Sequence, residues 1–375
     1  MKYLIILFIS LMGISLQAQN YVTKDTASKK ALKFYKKGME FSRANQKKKA
    51  LSELDKAIRE EPTFIDAIIE WGAIQFGNKN DEATEEALEK VIALDPYYKS
   101  KLLYTLAVIE KRNGKCDEAV KHAQMYLKAP RKREVIEEKS NRLIESCAFE
   151  MTVGKETVKF NPKALDGSIN TANREYLPGL SADGEILFFT RVVKKQEDIY
   201  FAERQGDGWS TAAPLPGVNT LENEGNQSVS ADGKYLVFTA CNRRDGYGSC
   251  DIYFSSFENG KWTAAQNIGG NINTGAWESQ PSISADGRTL YFTTRRKGTI
   301  GKSDIFVSRR NEKNQWSKAQ SVQGEINTKL EDQTPFIHPD GKTLYFKSEG
   351  HPGFGGFDIF YSRLGGDGKW QKPIN

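Results

Sequence analysis

Residues 273–292 read NTGAWESQPSISADGRTLYF, and the parts of this stretch recur through the C-terminal half of the chain. Asn-Thr stands at Asn170-Thr171, Asn219-Thr220, Asn273-Thr274 and Asn327-Thr328, each pair followed five residues after the Asn by an acid: Glu175, Glu224, Glu278 and Asp332. Eight residues on comes an Asp-Gly turn at Asp183, Asp232, Asp286 and Asp340, then a strand such as Leu236-Val237-Phe238 or Leu290-Tyr291-Phe292. Asp-Ile follows, led by Asp198, Asp251, Asp304 and Asp358, and last a Trp (Trp209, Trp262, Trp316, Trp370). The turns are 49, 54 and 54 residues apart. A period near fifty with several short strands per unit predicts the blades of a β-propeller. One such sheet cannot bury both faces, so the blades must pack side by side. In the third repeat the spacing predicts strands near Ser282–Ser284, Thr289–Thr294, Asp304–Arg309 and Gln315–Ala319, inner to outer.

Outward from the blades, the N-terminal half has a different period. Between residues 25 and 150 apolar residues recur three and four apart, in units of thirty-four. Unit 31–64 places Gly38 and Phe41 on a first helix and Ala50, Leu54 and Ala57 on a second, with Pro62 closing it. Unit 65–98 repeats this with Gly72, Leu88, Val91 and Pro96, although Thr84 takes the place of a small Ala; unit 100–130 carries Ala107, Ala119, Ala123 and Tyr126. These are tetratricopeptide (TPR) repeats, and 131–150 is a capping helix. The expected fold is a multidomain α plus β chain: a TPR-type α-solenoid, then a WD40/PD40-like β-propeller over 155–375 with four blades visible. The solenoid offers either a groove for a partner peptide or a spacer.

Composition bounds the rest. A chain of 375 residues predicts two domains, and a net charge of +6 is small for a dedicated nucleic-acid binder. Residues 1–18 carry Lys2, an apolar run from Leu4 to Leu16 and Ala18, the pattern of a secretory signal peptide cut before Gln19; an uncleaved anchor is the alternative. No Cys follows the cut, so a lipoprotein anchor is not indicated, and no later segment is predicted to span a membrane. Export permits disulfides. Cys241 and Cys250 flank a hairpin loop, and Cys116 and Cys147 fall at neighbouring ends of two antiparallel helices, so these two pairs are expected, with four buried thiols as the alternative. No Cys-x-x-Cys or His pair points to a metal.

The sequence carries no catalytic motif and no cofactor loop. His122 falls on a helix surface, His338 varies a blade position and His351 sits in a Gly-rich loop. Acids present in every blade read as architecture: the Asp of Asp-Ile should fix a turn through backbone N–H groups. A cation held by Glu175, Glu224, Glu278 and Asp332 at the channel mouth is the weaker alternative. One pattern reads as a partner site. Arg191, Lys194 and Lys195, then Arg243 and Arg244, then Arg295, Arg296 and Lys297 follow the second strands of three blades, so they would share one propeller face and meet an anionic partner, or else form a solvated rim.

The segment from Phe238 to Arg243, continuing through Gly246-Tyr247-Gly248-Ser249-Cys250-Asp251, and the stretch Ile337-His338-Pro339-Asp340-Gly341 carry a resemblance. With the leader and the TPR units, the chain resembles periplasmic OmpA-family proteins with PD40 repeats, among them the peptidoglycan-associated subunit of the type IX (Por) secretion system. The resemblance implies a non-enzymatic scaffold in the periplasm, associated with the outer membrane and docking other envelope proteins through the TPR groove and the propeller face. Peptidoglycan binding in that family lies in a C-terminal domain not found among these residues. The alternatives are a propeller serving a hydrolase or peptidase, and a glycan-binding propeller. Residues 157–163, with Phe160 ten before Asn170, read as a spare outermost strand, which implies that a further blade belongs in the ring.

Overall fold

The computed structural model describes residues 20–153 and 161–375; the predicted leader and Phe160 lie outside them, and 161–163 carry no regular structure. The chain divides into two compact units, Met1–Met151 and Thr152–Asn375.

The first unit is helical: α1 (Lys29–Arg43), α2 (Lys47–Glu60), α3 (Ile65–Gly77), α4 (Asp81–Leu94), α5 (Lys101–Arg112), α6 (Cys116–Leu127) and α7 (Glu134–Val153). Each pair turns on a residue in the left-handed region, Asn45, Lys79 or Gly114. Gly38 and Gly72 are required by proximity: a Cβ on Gly38 would stand 2.8 Å from Leu54 Cγ, and one on Gly72 3.0 Å from the Ala87 Cβ. The unit begins earlier than the periodicity shows. Val22 bridges to Phe64, the Tyr21 hydroxyl donates to Asp95 at 2.8 Å, and the Lys24 N–H donates to Asp66 at 2.8 Å. This strap is extended chain, and helical spacing does not reveal it.

The second unit is four antiparallel sheets. The first holds β1 (Arg174–Leu180), β2 (Ile186–Val193), β3 (Gln196–Gln205), β4 (Gly208–Trp209) and β5 (Ala213–Pro214). The second holds β6 (Asn223–Val229), β7 (Tyr235–Cys241), β8 (Cys250–Glu258), β9 (Lys261–Trp262) and β10 (Gln266–Asn267). The third holds β11 (Glu278–Ile283), β12 (Thr289–Thr294), β13 (Asp304–Arg309) and β14 (Gln320–Ser321); the fourth holds β15 (Asp332–Ile337), β16 (Thr343–Ser348) and β17 (Asp358–Arg363). Two boundaries differ from the expected ones. The inner strand β11 starts at Glu278 rather than Ser282, because a bulge between Ser279 and Ser282 breaks the period-two pattern that marks a strand. The outer strand lies at Gln320–Ser321, while Trp316 makes only an isolated bridge to Arg310.

Alternation along each second strand sends side chains to two neighbours. Leu236 and Phe238 pack with Phe188, Ile199 and Val218, whereas Tyr235 and Val237 pack with Ile283, Leu290 and Phe292. Hydroxyls then fasten sheet to sheet. The N–H groups of Asn226, Gln280 and Thr334 each donate at 3.1 Å to the Thr on the preceding sheet's second strand (Thr190, Thr239, Thr293). Likewise Ile283 N–H donates to Ser228 and Ile337 N–H to Ser282. The sheets follow one another in an arc; among the described residues no strand of the first packs against a strand of the fourth. The far face of the fourth sheet is accordingly open. Ile199, Ile252 and Ile305 of the first three Asp-Ile pairs are 0% exposed and Ile359 is 73% exposed. At the fastening positions this sheet carries Phe336 in place of Ser and Lys347 in place of Thr.

Candidate functional site

The recurring motif closes on itself. The side-chain amides of Asn219, Asn273 and Asn327 each pair with both backbone groups of an isoleucine, Ile199, Ile252 and Ile305: the N–H donates to Oδ1 at 2.8–3.0 Å and Nδ2 donates to the carbonyl at 2.8–2.9 Å. The Thr that follows caps the acid, as Thr220 donates from N–H and hydroxyl to Glu224 at 2.8 and 2.6 Å. The Asp before each Ile closes the loop ahead of it: Asp251 accepts from Tyr247 and Gly248 N–H, Asp304 from Ile300 and Gly301, and Asp358 from Gly355. In the first sheet the loop is too short for this, and Asp198 accepts from the Gln196 side chain instead. Burial raises the carboxyls of Asp198, Asp251 and Asp304 above the usual carboxylate range. The turn carboxyls of Asp183, Asp232 and Asp286 are lowered, first by the hydroxyls of Ser181, Ser230 and Ser284.

Three of the eight predicted partner-binding cations belong to this clasp. Arg191 Nε contacts Glu175 at 3.0 Å, Arg243 contacts Glu224 at 2.8 Å and Arg296 contacts Glu278 at 3.4 Å. Each also donates to a backbone carbonyl, that of Ile169, Val218 and Ile272 respectively. Each lies over a third-strand ring, Tyr200, Tyr253 and Phe306, at 4.6–4.9 Å. Their side chains are only 9–13% exposed, so a surface role for these three is corrected. The carboxylates that faced a cation in the alternative reading face guanidinium and hydroxyl groups here. In the fourth sheet His351 takes the arginine's place. Its Nε2 contacts the Ile326 carbonyl at 2.9 Å and its ring stands 5.3 Å from Phe360, while burial raises the Asp332 carboxyl. The other five cations, Lys194, Lys195, Arg244, Arg295 and Lys297, are exposed where the second and third strands join, and Arg295 lies over Trp277 at 4.7 Å.

Sequence reasoning missed the centre of the arc. Leu177, Asn226, Gln280 and Thr334, each two residues past the motif acid, have φ of +52, +54, +57 and +54. The bulges at these residues turn the inner strands around a cavity of about 720 Å³. Such backbone is costly for residues with a side chain. The available signal was the proline that follows three of them, Pro178, Pro281 and Pro335, since proline cannot donate to a strand ladder. Gln227, Gln280, Thr334 and Ser282 give the cavity hydrogen-bonding groups, and among the described residues no charged side chain and no histidine lines it.

Both expected cysteine pairs are joined, Cys116 to Cys147 with Cα atoms 5.4 Å apart and Cys241 to Cys250 as register partners across β7 and β8. His122 is not the surface residue expected: its Nδ1 lies 2.8 Å from Glu110, whose side chain is buried. Glu85, Glu89 and Glu110 lie close together, with Glu85 held by Lys115 at 2.6 Å. No helix of the described residues is long and apolar enough to cross a membrane.

No family model and no curated protein matches the chain. Among solved structures it is similar to TolB from Acinetobacter baumannii, at 15% identity and a TM-score of 0.38, over 52% of this chain and 42% of that one. It thus spans less than half the length of that protein. It is also similar to yeast Tom70, at 21% identity and a TM-score of 0.31 over 33% of this chain and 26% of that one. A third likeness is to YrrB, a TPR protein, at 15% identity and a TM-score of 0.29 over 33% and 61%. The two modules here are defined by their own helices and sheets: among the described residues, seven TPR-like helices followed by four propeller-like sheets.

Proposed function

We propose that this chain is a non-enzymatic scaffold of the bacterial envelope, exported to the periplasm, associated with the outer membrane and docking other envelope proteins, with assembly of a type IX secretion system as its setting. The observation that carries the reading is the division of labour among polar residues. The motif acids and the arginines of the first three sheets are consumed in pairs within their own sheets, and the central cavity is lined by apolar side chains and prolines with a few amides and hydroxyls, and among the described residues by no charged side chain and no histidine. Such a lining recognises and does not transfer protons. The two cysteine pairs suit an oxidising compartment. The five exposed cations supply a rim that suits an acidic partner. Photo-cross-linkers placed at Gln280 in the cavity and at Lys194, Arg244 and Lys297 on the rim test this in the exporting cell. Adducts with defined envelope proteins are expected; an exported, folded chain giving adducts at none of the four positions would overturn it.

A further inference from the structure

The charge of the protein is concentrated in one place. Residues 29–60, the hairpin of α1 and α2, hold eleven Lys or Arg against four Asp or Glu, a net +7 where the whole chain has +6. A chain-wide average conceals this. All eleven cations are exposed. Lys30, Lys37, Lys49 and Lys56 run along the seam of the two helices. Lys37 and Lys49 stand 5.8 and 5.5 Å from the Phe41 ring, Lys56 stands 5.9 Å from the Phe34 ring, and Lys37 and Lys56 share Glu53. Lys56 and Lys37 hold the Glu53 carboxyl below its usual range. Lys29, Lys33, Lys36 and Lys48 have no ion-pair partner among the described residues.

We propose that this hairpin docks the protein on the anionic headgroups of a phospholipid bilayer. Three features favour a membrane over an acidic polypeptide. Nine of the eleven cations are lysines, point charges suited to a diffuse field, while recognition of individual carboxylates favours the arginine fork. The seam is filled by the half-buried rings of Phe34 and Phe41, so the face presents a surface and not a cleft into which a peptide side chain fits. Those rings lie directly beneath the ammonium groups, where a lipid interface receives aromatic side chains. Basic clusters of this size are held at anionic bilayers by an attraction that salt screens.

The inference stands apart from the protein docking proposed above, because vesicle binding can fail while the cross-links persist, and conversely. The test is co-sedimentation of the protein, purified from the exporting cell, with vesicles of phosphatidylcholine mixed with phosphatidylglycerol and with phosphatidylcholine alone. Binding to the mixed vesicles only, weakened by salt, is expected. The combined K29Q/K33Q/K36Q/K48Q variant should lower the partition by about a hundredfold, from roughly fivefold or less per lysine, with its circular dichroism unchanged. Arginine at the same four positions should keep binding, which separates loss of charge from loss of fold. Equal binding to neutral vesicles, or a glutamine variant that binds like the parent, would overturn the proposal. So would retention on poly-glutamate or duplex DNA without vesicle binding.

Discussion

Replacing Arg243 by Ala distinguishes a clasp from a docking residue, because Arg244 beside it is an exposed control in the same loop. The Glu224 side chain is 0% exposed and that of Arg243 10%. Without the guanidinium the carboxylate keeps the Thr220 N–H and hydroxyl but loses its counter-charge, the Val218 carbonyl loses a donor and the Tyr253 ring loses its cover. Stranding one partner of a buried ion pair costs about 3–5 kcal/mol. In a unit of this size each kcal/mol moves Tm by roughly 2–4 °C, which places the Arg243→Ala transition roughly 6–20 °C below the parent. Arg244→Ala should stay within about 0.5 kcal/mol. Adding Glu224→Gln to Arg243→Ala should recover part of the loss, since the buried charge is then gone. Thermal unfolding followed by tryptophan fluorescence reads all four proteins. If Arg243→Ala and Arg244→Ala unfold together, the clasp contributes nothing and the guanidinium belongs to a binding surface after all.

Three further outcomes are expected. Ile305→Ala should cost about 2–5 kcal/mol through a cavity while Ile359→Ala, at the same repeat position, should cost under about 0.5; equal losses in denaturant titration would mean that the fourth face is covered. Removing the bridge between Cys116 and Cys147, which spans 31 residues, should cost about 3–4 kcal/mol by loop closure, and the bridge of span 9 from Cys241 to Cys250 somewhat less; non-reducing peptide maps showing four free thiols would refute both. Asp286 has a lowered folded pKa, so its contribution to stability is full above the unfolded carboxylate pKa and is lost as pH falls through the folded value. Ser284→Ala removes the main cause of that lowering, and the variant should lose less stability than the parent between neutral and acid pH; parallel losses in urea titrations would refute it.

Much of the architecture was legible because it rests on spacing. The fifty-residue period, the thirty-four-residue helical units and both cysteine pairs follow from residue positions alone, and the turn role of Asp251 and Asp304 follows from their place before a strand. The clasp was not legible. Its cation stands 16, 19 and 18 residues after the acid in successive sheets, so the three arginines align with no common column and resemble ordinary loop charges. The bulges were hidden for the opposite reason. Leu177, Asn226, Gln280 and Thr334 adopt a glycine-like φ without being glycine, so the bulged residues themselves do not announce the turn, and only the proline after three of them hints at it. The strap at Tyr21 to Lys24 is extended chain against helices, and a helical period passes over it.

The shifting place of the clasp cation has an evolutionary consequence. A guanidinium on a long side chain reaches the same carbonyl whether it starts inside the second strand, as Arg191 does, or two residues beyond it, as Arg243 and Arg296 do. Insertions in the connection that follows are therefore absorbed by side-chain reach, not by the sheet. That connection runs from two residues at Lys194-Lys195 to nine at His351. Its length is free to drift under selection while the clasp stays occupied, so the face of the arc where these loops emerge is the face at which related chains would diverge in what they hold.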